Sequence, residues 1–133
     1  MFTTLFSVIL ISPICEELIF RAVFLNRLKL ALPILFSILI SSLIFAALHP
    51  FGSITSTFIF ALSMVILSIK SDNILVCINA HFLNNLFAEI IVILDSKNTL
   101  FLNPNVFYLM KVLSLISFII ILFWIIKQLN IIK

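Results

Sequence analysis

Six side chains in this sequence have types and spacings that could do chemistry. They are Glu16, Glu17 and Arg21 in the run EELIFR, His49 closing FAALH, and His81 and Asn85 in HFLNN. A carboxylate beside a histidine can hold a water and take its proton. A second histidine with an asparagine amide can donate hydrogen bonds to the oxyanion of a carbonyl that is becoming tetrahedral. Together these groups could hydrolyse an amide without a covalent intermediate. Glu16, His49 and His81 are also a donor set for zinc with one position left open for water, so the residue types alone leave both modes open.

Helical spacing assigns these residues to faces. Glu17 and Arg21 are i,i+4 neighbours in the favourable acid-before-base order and can neutralise each other. Glu16 projects about 100° away on a 3.6-residue helix, which makes it the carboxylate expected to reach another helix. His81 and Asn85 share a face by the same i,i+4 rule, and Glu89 continues that stripe with some angular drift.

The elements that carry these groups must lie in lipid. Of 133 residues, 64% are hydrophobic and 10% charged, with fifteen phenylalanines against one glycine. Soluble domains carry about 25% charge because their surface faces water. This composition excludes a soluble globule, a disordered chain and a nucleic-acid binder. Cys15 and Cys77 sit in apolar runs and match no metal or redox spacing, so they read as packing residues. The first apolar run lacks a basic n-region and a small-x-small cleavage site, and is expected to be retained.

Backbone groups in lipid must be satisfied internally, and the apolar runs do not alternate as strands would, so the fold class is an all-α membrane bundle. Breaks at Pro33, His49–Gly52, Lys70–Asn73 and Asp95–Asn105 predict five transmembrane helices. They run from about Phe2 to Leu28, Ile34 to Leu48, Ile54 to Ile69, Ile74 to Leu94 and Val106 to Ile126. Pro33 suits the first turn of the second helix, the short polar residues before Ile74 can cap the fourth, and Asn103-Pro104 starts the fifth. The whole of residues 1–133 reads as a single domain with its motif core at 13–85.

Arg27, Lys29, Lys70, Lys127 and Lys133 fall on one side of such a bundle, with Lys97 opposite. By the positive-inside rule that side, and the C-terminus, are cytoplasmic. Measured from it at ~1.5 Å per residue, Glu16 and Asn85 lie ~18 Å deep, His81 ~12 Å and His49 ~24 Å. Ionisable groups at such depths are costly and normally face one another or a wet cavity.

On these residues the chain resembles the CAAX protease and bacteriocin-processing family of intramembrane proteases, which includes the type II CAAX prenyl endopeptidases and the Abi proteins. EELIFR is similar to that family's E-E-x-x-x-R motif, FAALH to F-x-x-x-H, and HFLNN to H-x-x-x-N, in the family's order and on separate predicted helices. Pro13 and Phe20 resemble the usual flanks of the first motif, while Ala22 stands where the family commonly has glycine.

The resemblance implies that Glu16 and His49 activate the water, His81 and Asn85 stabilise the oxyanion, and Glu17 and Arg21 support them. It also implies an intramembrane endopeptidase acting on a membrane-associated peptide, prenylated or of bacteriocin-leader type. No cofactor is expected, because asparagine is a poor zinc ligand; zinc on Glu16, His49 and His81 is the alternative. Expected partners are membrane lipid and the peptide substrate, with a homo-oligomer allowed, in the cytoplasmic membrane. A second functional class is a non-catalytic immunity or self-protection protein against bacteriocins, built on the same fold. A third, from the intramembrane acids alone, is a proton or ion pathway.

Overall fold

The structure, a computed structural model, describes residues 2–49, 53–95 and 102–132. Part of the expected turn after His49, Lys97 and Lys133 lie outside the described residues. The described chain forms five helices and belongs to an all-α membrane protein.

The first helix, α1, runs over 2–31 and alternates two backbone forms. Three α-helical stretches, Phe2–Phe6, Ser12–Glu17 and Asn26–Ala31, are separated by π-helical turns at Ser7–Ile11 and Leu18–Leu25. Pro13 accounts for the first irregularity. It has no N–H to give to the carbonyl four residues back and would crowd it, so the preceding turn widens and Ser12 N–H donates to Ser7 O. At the other end α1 extends to Ala31, past the expected Leu28. Leu32 is the first residue barred from helical geometry by a following proline, and it adopts φ −134°, ψ 152°.

The second helix, α2, spans Ile34–Ala47, with Pro33 just outside it in extended geometry. The third, α3, spans Ile54–Ser71 and ends where Asp72 turns left-handed at φ 48°. Asn73 then caps α4, Ile74–Leu94, its Oδ1 accepting the Leu75 N–H at 2.9 Å. The last helix, α5, spans Pro104–Ile132, beginning at its proline signal and longer at both ends than the expected Val106–Ile126. Asn103 Oδ1 accepts the Asn105 N–H at 3.0 Å and so opens α5 at Pro104. No glycine or proline interrupts the chain beyond it.

The chain divides into two compact units, Met1–Asn85 and Leu86–Lys133, the division falling within α4. In the first unit α2 and α3 pack most extensively, and the middle of α1 lies against both. Small side chains allow this: Ser37, Ser41, Ser42 and Ala46 of α2 and Ala61 of α3 are buried. Such residues let backbones approach where lipid supplies no hydrophobic drive between helices. Ser42 Oγ returns its proton to Ile38 O at 2.8 Å, whereas Ser41 Oγ is buried without a partner. Phe20, Phe45 and Ala61 form the core cluster, with Phe24 and Phe60 packed around it.

The second unit is apolar on nearly every face; most of α5 is exposed, including Ile119, Ile120 and Phe123. A helix apolar all round belongs in lipid. By length and hydropathy α3, α4 and α5 can each cross a membrane, and α2, at 14 residues, is the shorter apolar helix.

The α2–α3 packing makes a stability prediction. Ser41→Leu, which forces extra methylenes between α2 and its neighbours, should cost about 1–3 kcal/mol and lower the unfolding temperature in detergent. Ser41→Ala, which deletes an unpartnered hydroxyl, should leave that temperature unchanged or raised.

Candidate active site

Glu16, Glu17 and Arg21 of α1, His49 just past the end of α2 and His81 of α4 meet within the first unit. Glu16 stands at their centre. Its Oε2 lies 3.1 Å from His49 Nε2 and 3.7 Å from His81 Nε2, so one carboxylate oxygen is bracketed by two imidazoles, one just past the end of α2 and one on α4. Its Oε1 accepts a hydrogen bond from Ser12 Oγ, one turn earlier on α1.

The far nitrogens of both rings are occupied, which fixes their tautomers. His49 Nδ1 lies 2.7 Å from Phe45 O; a carbonyl only accepts, so Nδ1 carries the proton and donates. His81 Nδ1 donates to Glu17 Oε1 at 2.8 Å. Each Nε2 is thereby turned towards Glu16, and a single proton is enough to join Glu16 to His49.

Glu17 and Arg21 are fully buried, with Arg21 Nε 3.2 Å from Glu17 Oε2. The pairing expected from their spacing is present, and it has a further partner. Glu17 also holds His81, so the two adjacent glutamates do not divide into one structural and one free carboxylate. Both reach His81. Arg21 Nη2 donates to Ala61 O of α3 at 3.4 Å, and its guanidinium carbon lies 4.6 Å from the centre of the Phe45 ring.

Phe45 organises much of this. Its ring stacks on His49 at 4.1 Å and 19°, meets Phe20 edge-on at 5.0 Å, and lies beside the Arg21 cation. Phe60 of α3 meets the His81 ring edge-on at 4.9 Å.

An open cavity of about 320 Å³ adjoins the two histidines, lined by Phe45, His49, Ser56, Thr57, Phe60, His81, Asn84 and Asn85. Asn85 thus shares a wall with both histidines, as its spacing from His81 suggests. Its amide is held at both ends: Nδ2 donates to Val8 O at 3.0 Å and Oδ1 accepts from Asn84 Nδ2 at 3.3 Å. One N–H of Asn85 remains for another acceptor. Glu89, beyond Asn85 on α4, falls in the second unit.

As built, the cluster is a hydrogen-bonding set. Both Nε2 atoms face the same carboxylate oxygen, and among the described residues no three His, Cys, Asp or Glu side chains are grouped to hold a metal ion.

The sequence profile of the family described as Type II CAAX prenyl endopeptidase Rce1-like matches residues 1–87. The chain belongs to this family. No curated protein and no solved structure matches the chain. The profile match takes in every residue of the cluster and ends at α4, just past Asn85. The runs EELIFR, FAALH and HFLNN lie on α1, at the end of α2 and on α4, and α3 contributes to the cavity wall through Ser56, Thr57 and Phe60.

Motif spacing does not reveal the Glu17–His81 contact, the Ser12–Glu16 bond or the Val8–Asn85 bond. The first needs the packing of α1 on α4. Ser12 and Glu16 are i,i+4 neighbours on one α-helical stretch, so that bond lies within reach of their spacing although Ser12 is outside the motifs. The Val8–Asn85 bond needs the irregular turn of α1, for which Pro13 inside an apolar run is the available sequence signal. Phe45 could have been singled out, since it lies one turn before His49 on the same face.

Breaking a buried ion pair by removing one partner is far more costly than replacing both partners. Arg21→Ala leaves the Glu17 carboxylate buried with His81 as its remaining partner and should destabilise the protein by about 3–5 kcal/mol. The double variant Glu17→Gln/Arg21→Met should recover a substantial part of that loss. Unfolding temperatures of the three proteins in one detergent check the ranking.

Proposed function

We propose that this protein is an intramembrane endopeptidase that hydrolyses one peptide bond of a membrane-associated, prenylated peptide, using a Glu/His-activated water and a His/Asn oxyanion site. The observation that carries this reading is the bracketing of Glu16 Oε2 by His49 and His81 beside a cavity that also holds Asn85. Family membership supports proteolysis as the general activity.

In the proposed reaction a water enters the cavity next to Glu16 and His49. That pair takes its proton as the oxygen attacks the scissile carbonyl carbon. The carbonyl π electrons move onto oxygen, and the oxyanion receives hydrogen bonds from protonated His81 Nε2 and from the free N–H of Asn85. Glu17, paired with Arg21, accepts from His81 Nδ1 and so keeps Nε2 turned towards the reacting carbonyl. As the tetrahedral intermediate collapses, the C–N bond breaks and the Glu16–His49 pair returns its proton to the leaving amine. No cofactor enters this scheme.

The reading extends to placement: an integral protein of the cytoplasmic membrane, with Arg27, Lys29, Lys70 and the C-terminus on the cytoplasmic face.

Cleavage of a fluorogenic prenyl-peptide by the purified chain in proteoliposomes tests the proposal. Glu16→Gln and His49→Ala should each lower kcat/KM by about 10²–10⁴, and Asn85→Ala by about 10²–10³. A chelator should leave the rate unchanged. Variants that cut as fast as the parent would overturn the assignment, and activity lost to chelator and restored by zinc would overturn the metal-free mechanism.

A further inference from the structure

Ser12 departs from the arrangement of five other hydroxyl side chains in this protein's helices. Ser37, Ser42, Ser63, Ser71 and Thr57 all donate to the carbonyl four residues behind them. That is the usual arrangement for a helical serine or threonine. Ser12 instead donates forward, to the Glu16 carboxylate. The carbonyl it would ordinarily take is Val8 O, which accepts from Asn85 Nδ2.

Backbone geometry explains why Val8 O is open to Asn85. In an α-helix its partner would be the Ser12 N–H, but the π-helical turn Ser7–Ile11 sends that N–H to Ser7 O. In a continued π-helix its partner would be residue 13, which is proline and has no N–H. The Val8 carbonyl is therefore left by both helical patterns, and a carbonyl inside lipid needs a partner from elsewhere. Asn85 supplies it. With Val8 O taken, the Ser12 hydroxyl turns forward to Glu16 Oε1, which leaves Oε2 to the two histidines.

We propose that the π-helical turn Ser7–Ile11, ended by Pro13, positions both halves of the active site. Its Val8 carbonyl anchors the oxyanion donor Asn85, and Ser12 is a positioning residue that fixes the rotamer of the water-activating Glu16. The catalytic part of this inference rests on the protease reading above. The hydrogen bond from Ser12 to Glu16 stands apart from it and can be read without turnover.

The test compares the full chain with Ser12→Ala and Ser12→Thr in proteoliposomes, by kinetics and by infrared spectroscopy. The protein has five acidic side chains, so the Glu16 carboxylate band can be obtained as the difference between the parent and Glu16→Gln. Ser12→Ala should shift that band and lower kcat roughly ten- to hundredfold, the scale of a charge-assisted hydrogen bond, with KM little changed. Ser12→Thr, which keeps the hydroxyl, should restore both.

In a Glu16→Gln background, Ser12→Ala should cause no comparable further loss. An unshifted band, or a fall in kcat that Ser12→Thr does not rescue, overturns the proposal. A shifted band in a protein that cleaves no peptide refutes the protease reading while the placement of Ser12 stands.

Discussion

A charge buried inside an apolar bundle must be met by another charge or by a full set of hydrogen bonds, and the fully buried Glu17–Arg21 pair imposes that requirement on the first unit of this protein. Glu16, Glu17, Arg21 and His81 lie within apolar helices and His49 just past the end of one, and each finds its partner among the others. Glu17 shows the constraint most plainly. Fully buried, it faces Arg21 on its own helix and His81 on α4. A carboxylate so placed is tolerable only while both neighbours remain, which ties α1 to α4 through one side chain.

That network depends on close helix packing, which in lipid comes from small residues and not from hydrophobic exclusion. The serines and alanines on α2 and α3 bring those backbones together, and the Ala61 carbonyl is near enough to accept from Arg21. Phe45 links the apolar core to the polar cluster. It is almost fully buried, and it orients His49 through its ring and its own carbonyl. The second unit has no comparable demand. Its helices expose apolar side chains on nearly all faces, and lipid is a sufficient neighbour for them.

Irregular helix geometry is the other recurring theme. A regular α1 would consume every mid-helix carbonyl in its own ladder. The π-helical turns break that ladder, and Pro13 ensures that one freed carbonyl is not reclaimed. Free backbone acceptors are expensive in a membrane, so this one is met by Asn85, a residue placed by its spacing from His81.

Much of this was legible in the residues. Composition required lipid as the solvent, uninterrupted apolar runs required helices, and Pro33, Asn73 and Pro104 marked three of their starts through the backbone groups that proline lacks and asparagine can cap. The i,i+4 spacing paired Glu17 with Arg21 and put His81 and Asn85 on one face, because these relations lie within single helices and follow from 3.6 residues per turn. The sequence by itself therefore determined the solvent, the helices and the six residues of the cluster.

Only the tertiary structure decided how those residues divide the work: that both adjacent glutamates reach His81, that one oxygen of Glu16 faces two histidines, and that Asn85 is held by Val8. These depend on the rotation and approach of one helix against another and on local departures from 3.6 periodicity. Neither is encoded in spacing along a single helix, because each is fixed by side chains that are distant in the chain and meet only when the helices pack.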